Sequence, residues 1–177
     1  MSEERYIREL TSLVSQLPLD AVPPRRKVVF DKNGLKTGPA WSQGRIFVVE
    51  LTLQPHAVIR PHNHPSHNAV SLGVAGACQY EHYEIVGEAP PAKSGTPPFV
   101  VQRTRSGLLL PGRLSELTRT RDNIHTFRAG KEGATILDFT ATVGNPKTDF
   151  SVLKIDTEPR DLFGGRYEAR WLGNPYR

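Results

Sequence analysis

From Lys27 onward the chain is a series of short β-prone runs that Gly, Pro and Asn residues separate. Runs such as RIFVVELTL, CQYEHYEIV and ATILDFTATV are rich in β-branched, aromatic and aliphatic residues and are only about ten residues long. Regularly spaced short strands with turn residues between them are typical of an antiparallel sandwich or barrel, and no helical pattern alternates with them. The sequence therefore predicts an all-β fold for residues 27–177.

One amphipathic helix is predicted ahead of this region. Ser2 can cap it, and Glu3 and Glu4 fall in the first turn, where the helix dipole favours acids. Apolar residues then recur at three- and four-residue steps: Ile7, Leu10, Leu13, Val14 and Leu17. The two adjacent prolines of QLPLDAVPP end the helix. Residues 1–26 are thus interpreted as a helix and linker, and residues 27–177 as a barrel with its C-terminal tail packed on it.

Composition excludes several classes of protein. A chain of 177 residues, 37% of them hydrophobic, is large enough for one core. Cys78 is the only cysteine, which rules out an intramolecular disulfide and a four-cysteine zinc site and favours a reducing, cytoplasmic setting. The acidic start MSEERYIREL is unlike a secretory signal, and no window holds the ~20 apolar residues of a membrane span. The formal charge of +5 is scattered, so no nucleic-acid partner is expected.

Histidines are concentrated in the stretch RPHNHPSHNAV, residues 60–70. Residues two apart on a strand point to the same face, so His62 and His64 can meet at one metal ion, whereas His67 lies past Pro65, where this alternation can be lost. A third ligand must come from elsewhere, and His125 in RDNIHTFRAG is the candidate because a barrel brings distant strands side by side. A lone histidine is more often hydrogen-bonded or at the surface, which is the interpretation for His56 and, in part, for His82.

The motifs HNHPSHNAVSLGVAG and LPGRLSELTRTRDNIHTFRAG resemble the first and second motifs of the cupin superfamily. The resemblance implies a double-stranded β-helix, a small jelly-roll-like barrel with a metal inside. The usual cupin has a glutamate four or five residues after the second histidine, where this chain has Asn68 and Ala69. A neutral three-histidine set would leave the metal its full charge and open coordination positions.

Within the superfamily, three-histidine sites are similar to those of thiol dioxygenases. HNHP, NIHTFRA, GATILDF and DFSVLKID resemble, in wording and order, the branch of plant cysteine oxidases and animal cysteamine dioxygenase. This resemblance covers roughly residues 45–156. It implies that His62, His64 and His125 hold Fe(II), with Mn, Ni or Zn as the alternatives, and that Asp138 matches an acidic position near the substrate. A buried structural carboxylate is the other interpretation of Asp138.

Further site residues are proposed around this set. Tyr80 and His82 share a face of the strand after Gly76 and are candidates to position a substrate amine or an oxygen, or else belong to a polar face. Arg60, two residues before His62, is expected on the same strand face as a carboxylate partner, with Arg45 and Arg103 as alternatives. This chain reads TATVG where the branch continues to a PPY turn, so a tyrosine expected near the site is missing.

The function implied is oxidation of a small thiol, such as cysteamine or cysteine, by O₂ to a sulfinic acid. Two rivals stay open: another metal-dependent cupin enzyme, a C–C-cleaving dioxygenase or an isomerase, and a non-catalytic cupin that binds a small molecule. The Pro-rich segment 86–98 is either a lid or a surface loop. Edge strands of such barrels often pair, so a homodimer is an expectation.

Overall fold

The computed structural model describes residues 2–21, 29–143, 150–158, 160 and 165–173. Within these residues the chain forms one α-helix, a short 3₁₀ turn (Leu19–Ala21) and nine strands. The helix is α1 (Glu3–Val14), and the strands are β1 (Leu35–Gln43), β2 (Ile46–Leu53), β3 (Val58–Asn63), β4 (His67–Val86), β5 (Phe99–Leu109), β6 (Leu114–Leu117), β7 (Ile124–Thr142), β8 (Val152–Ile155) and β9 (Arg166–Gly173).

Two long strands, β4 and β7, organise the fold. They pair antiparallel from His67 opposite Thr142 to Tyr83 opposite Ile124, and register shifts after Gly73 and Gly76 bend them midway. Their bend lets each contribute to two sheets. The first sheet has the strand order β1-β2-β7-β4-β6 and contains the C-terminal half of β7. The second sheet has the order β3-β7-β4-β5 and contains the N-terminal half of β7. This arrangement is a double-stranded β-helix, which confirms the predicted fold class.

The bend requires a glycine at position 76. Gly76 has a φ of +68°, and a Cβ there would lie 2.2 Å from the carbonyl oxygen of Gly133 on the paired strand. Backbone in this left-handed region is disfavoured for residues with a side chain, and the contact leaves no space for one. Gly76 thus permits the two halves of β4 to face each other across one interior.

Helix α1 covers the outer face of the first sheet. The side chain of Ser2 accepts a hydrogen bond from the Arg5 amide at 3.3 Å, as predicted for the cap. Ile7 and Val14 are buried in a cluster completed by strand residues: Val48, Val70, Leu72 and Leu137. Leu13 and Leu17, expected on the same apolar face, are 66% and 41% exposed. At 12 residues the helix is too short to span a bilayer, and no other described helix has the necessary length and apolarity.

The C-terminal strands cover the outer face of the second sheet. Strand β9 pairs with β5 and with β8, and a single bridge between Val152 and His62 joins β8 to β3. Together with the second sheet they close a ring of strands around a core that includes Tyr167 and Trp171. Trp171 stacks on Phe99 with ring centroids 5.0 Å apart. Phe163 and Tyr176, which were expected to pack here too, lie outside the described residues.

Cys78 provides a test of this packing. Its thiol is fully buried among the apolar side chains between the sheets, and burial raises its pKa to about 12. At pH 8 the thiolate fraction is then of order 10⁻⁴, and only the thiolate reacts. We expect native protein to be almost inert to an aromatic disulfide reagent and to release about one equivalent of chromophore in 8 M urea. A fast stoichiometric reaction without denaturant would contradict the burial.

Candidate metal centre

Three imidazoles converge at one end of the interior. The Nε2 atom of His125 lies 3.0 Å from Nε2 of His64 and 3.1 Å from Nε2 of His62. Among the described residues these three form the one group of potential metal ligands, with all ligand atoms within 4.8 Å of one another. Two nitrogens bound at ~2.1 Å to one ion at a right angle would be about 3.0 Å apart. The separations around His125 therefore fit a facial set of three ligands.

Backbone contacts from several elements hold the first two histidines. His62 is the next-to-last residue of β3 and His64 follows that strand. The His64 amide donates to the carbonyl of Asn123 at 3.0 Å, and Asn123 Nδ2 donates back to the His64 carbonyl at 3.0 Å. Between the two histidines, the Asn63 side chain accepts a hydrogen bond from the Ser151 amide. The alternation predicted from sequence thus continues one residue beyond the strand because backbone and side-chain hydrogen bonds with Asn123 and Ser151 take the place of the ladder.

Hydrogen bonding sets the ring orientation of His62. Its Nδ1 lies 2.8 Å from the Arg60 carbonyl, which can only accept, so Nδ1 carries the proton and Nε2 presents a lone pair to the centre. His125 differs, because its buried Nδ1 has no hydrogen-bond partner in the described structure. Its ring packs edge-on against Phe127, with centroids 4.6 Å apart. Packing against Phe127, rather than a hydrogen bond at Nδ1, therefore orients the outer side of the third imidazole.

The electrostatics favour neutral ligands. Burial lowers the pKa of His62, and it lowers the pKa values of His64 and His125 well below the usual range, where the neighbouring imidazoles add to the effect. Neutral imidazole is the form that binds a metal. Imidazole nitrogens suit first-row transition ions, whereas Mg²⁺ and Ca²⁺ require oxygen ligands. The donor set thus fits a transition metal, as the resemblance implied.

His67 lies beside the cluster and outside it. Its ring centroid is 6.3 Å from that of His64 and 5.8 Å from that of Phe47, which it meets edge-on. The side chain is half-buried, and burial lowers its pKa. His67 therefore lines the interior next to His64 without sharing the position where the three Nε2 atoms meet.

Asp138 faces the same interior from the first sheet. It lies two residues after Ile136, which packs in the cluster that also contains Phe127 of the second sheet. Its Oδ1 accepts a hydrogen bond from Ser71 Oγ at 2.6 Å. Burial raises the pKa of Asp138, and the Ser71 hydrogen bond only partly offsets this effect. The carboxylate is therefore buried with one hydroxyl and without a cationic partner among the described residues, an arrangement that a positively charged group would stabilise.

Tyr80 and His82 project from β4 into the interior. The Tyr80 ring lies over Gly107 of β5, where a Cβ would come within 2.8 Å of it, and its centroid is 5.2 Å from that of His82. His82 is fully buried, and its centroid lies 6.0 Å from that of His125. Its Nε2 is 2.8 Å from Ser115 Oγ on β6, so this contact joins the two sheets.

Sequence reasoning missed the other partner of His82. Asp122 Oδ2 lies 3.9 Å from His82 Nδ1, which is too far for a hydrogen bond. The other carboxylate oxygen, Oδ1, accepts a hydrogen bond from Thr104 Oγ1, and Arg105 Nη2 lies 3.5 Å from Oδ2. Burial alone would raise the Asp122 pKa, but the contacts with His82, Thr104 and Arg105 lower it to about 2. Neither LSEL nor RTRD contains a sequence signal that singles out Ser115 or Asp122.

Substituting Asp122→Asn should reveal this carboxylate in the pH dependence of stability. Asn tolerates the left-handed backbone at this position, where φ is 53°. Because the folded pKa is depressed, the ionised group contributes stability above its ordinary pKa and loses it as pH falls toward 2. We expect the variant to unfold with about 1–2 kcal/mol less free energy at pH 7, with this difference roughly halved by pH 3. Urea titrations of both proteins would test this, and a pH-independent difference would contradict it.

The structure does not bring Arg60 to the cluster. A register shift between Ile59 and His62 interrupts the two-residue alternation of β3, so the expectation that Arg60 and His62 share a face is wrong. Arg60 is exposed and lines a separate cavity on the far side of the second sheet, as does Arg103. Neither arginine is placed to bind a carboxylate at the imidazoles.

Solved structures show the same fold. The coconut allergen cocosin is 18% identical over 74% of this chain and 31% of its own, with a TM-score of 0.53. Pumpkin seed globulin is 15% identical over 73% of this chain and 31% of its own, also with a TM-score of 0.53. KdgF from Halomonas sp. is 18% identical over 64% of this chain and 84% of its own, with a TM-score of 0.45. The chain thus spans about a third of each globulin. The two seed proteins, with TM-scores above 0.5, are double-stranded β-helix proteins of the cupin type, and at such identities the likeness establishes the fold alone. No protein-family model and no curated protein matches the sequence.

Proposed function

We propose that this chain is a non-haem Fe(II) thiol dioxygenase-like enzyme, which uses O₂ to convert a small thiol, RSH, into the sulfinic acid RSO₂H. The observation that carries the proposal is the donor set: three neutral, buried imidazoles meet at Nε2, and among the described residues no carboxylate belongs to the group. Such a set leaves coordination positions for both reactants. A cytoplasmic location is part of the proposal, and the single cysteine is compatible with it.

A bound Fe(II) ion would supply the affinity for thiolate and O₂ and would mediate electron transfer from the sulfur to O₂. The protein's contribution is to hold the ligands and keep water away. His62 presents its lone pair because Arg60 fixes the Nδ1 proton, and Phe127 packs against the ring of His125. Oxidation of RSH by one O₂ balances without a further reductant, since both oxygen atoms end on sulfur.

Asp138 favours an amine-bearing thiol as the substrate. The carboxylate is buried in the same interior, and its pKa is raised because only Ser71 compensates for its lost solvation. A substrate ammonium group would supply the missing charge and stabilise the ionised acid. The proposed carboxylate partner, Arg60, faces another cavity, which also favours a thiol without a carboxylate. Cysteamine and the N-terminal cysteine of a peptide are the substrates of this type.

The test is anaerobic purification, reconstitution with Fe(II), metal analysis and O₂ uptake with a panel of thiols. The panel contains cysteamine, cysteine, 3-mercaptopropionate and a peptide with an N-terminal cysteine, and ethanolamine is the thiol-free control. We expect cysteamine or the peptide to consume O₂ and the product to gain two ¹⁸O atoms from ¹⁸O₂. Protein that holds iron at about one equivalent but shows no thiol-dependent uptake would reject the proposal in favour of other metal-cupin chemistry or ligand binding.

A further inference from the structure

A second cavity lies within the ring that the second sheet closes with β8 and β9. Its volume is about 570 Å³, and we call it the outer cavity. Its lining comes from all the strands of the ring and includes Arg60, Arg128 and Lys154 together with Tyr83 and Tyr167. None of the three clustered histidines is part of this lining.

Strand alternation places the outer cavity on the opposite face from the imidazoles. On β7, Thr126 and Arg128 line the cavity. His125 and Phe127, which alternate with them along the strand, face the interior. On β4, the cavity residues Glu81 and Tyr83 flank His82, which contacts Ser115 of the first sheet. Successive side chains on a strand point to opposite faces, so the sheet itself separates the two sites.

The cavity exists because two strands of the ring separate. Among the described residues, β3 and β8 share one bridge, between His62 and Val152, and the hydrogen bonds between Asn63 and Ser151 lie beside it. From there Val58 and Arg60 of β3 and the residues of β8 up to Ile155 line the cavity. The apolar core of the ring, including Trp171 and Phe99, lies deeper and leaves this mouth open.

The charges of the lining are unequal. Arg103 donates to Glu81 at 3.0 Å and lies 5.8 Å from the ring centroid of Tyr167, and Tyr83 also donates to Glu81 at 2.9 Å. This pair is satisfied within the wall. The remaining cations of the lining are Arg60, Arg128 and Lys154, and within the described part of the chain none of them has an ion pair. They outnumber the one remaining acid of the lining, Asp156. The mouth is therefore positive, while its wall is aromatic and aliphatic.

We propose that the outer cavity binds a small organic anion, a carboxylate or phosphate joined to an aromatic or aliphatic body. Arg128, Arg60 and Lys154 would bind the anionic group, because guanidinium and ammonium groups form charge-assisted hydrogen bonds with such oxygens. Tyr83 and Tyr167, whose rings meet edge-on at 5.9 Å, would contact the body. The site does not depend on the proposed metal chemistry.

Titration of the ¹⁵N-labelled chain with small probes tests this site. The probes are benzoate and phenyl phosphate, with benzamide as the uncharged match for benzoate. We expect saturable shifts of backbone amides at 81–83 and 126–128, with benzamide binding at least about tenfold more weakly, with or without added Fe(II). Tighter binding of one anion identifies the carboxylate or the phosphate as the preferred group. Absence of saturation by either anion up to about 20 mM, or equal binding of benzoate and benzamide, would overturn the proposal.

Charge variants separate this cavity from general attraction to a basic protein. Arg128→Gln and Arg60→Gln should each weaken the better anion by about fivefold or more, the loss of one charge-assisted contact. Arg8→Gln, an exposed position on α1, removes the same charge elsewhere and should change affinity by less than about twofold. An equal loss in all three variants would show non-specific attraction and reject the site. The amide spectrum of each variant reports whether it is folded.

Discussion

Replacing His125 with alanine should remove the metal and reduce turnover by at least about a thousandfold while leaving the β-fold in place. His125 Nε2 lies within 3.1 Å of both other ligand nitrogens. Its loss leaves only His62 and His64, two of the three imidazoles in the group. Two ligands bind a first-row ion far more weakly than three. Metal content after gel filtration should fall from about one iron per chain to below about 0.1, with the circular dichroism spectrum unchanged.

The matched control is His67→Ala. His67 is a histidine on the same interior, but its ring centroid is 6.3 Å from that of His64 and it does not belong to the group of three. We expect this variant to retain iron and most of its activity. Loss of iron in the His67 variant together with its retention in the His125 variant would show that the ligand set is wrong.

The β-rich fold and the pairing of His62 with His64 could both be predicted because their signals are local. The turn residues and β-prone runs specify strands, and the two-residue period places His62 and His64 together. The approach of His125 is not local, and the pairing of β3 with β7, which sets His62 opposite His125, creates it. The order of the motifs indicated that pairing only through the resemblance to cupins.

Two features of the backbone were not predicted from the sequence patterns: the register shift in β3 and the existence of strand β1. The register shift in β3 moves Arg60 to the other face, and Pro61, which lies within the shift, was its only sequence signal. Strand β1 was not predicted, since LKTGPAWSQ contains Gly38 and Pro39. Proline is tolerated there because β1 is an edge strand with a register shift between Pro39 and Trp41.

The outer cavity could not be predicted because it depends on ring closure. The aromatic tail residues Tyr167 and Trp171 indicated packing but not a partner surface. Their strand pairs with β5, which is distant in sequence, and the gap between β3 and β8 follows only from the single bridge that joins them. Alternation along β7 then gives one strand two roles, with His125 on one face and Arg128 on the other.

Truncating Phe127 to alanine should produce the largest loss of stability of any single substitution considered for this chain. Phe127 is fully buried, packs with side chains from both sheets and supports the ring of His125 at a centroid distance of 4.6 Å. Removing a buried phenyl group loses apolar burial and leaves a void, which together cost about 3–5 kcal/mol. Urea unfolding of the metal-free protein should show this decrease without a change in m-value.

Two matched substitutions distinguish core packing from a general effect of truncation. Phe127→Leu keeps most of the volume and should lose only about 1–2 kcal/mol. Leu108→Ala removes an apolar side chain that is 53% exposed, and we expect a loss below about 1 kcal/mol. Because no hydrogen bond to a described residue holds Nδ1 of His125, the Phe127→Ala variant should also bind iron more weakly than Phe127→Leu. Equal iron affinities in these two variants would show that some other contact orients the third imidazole.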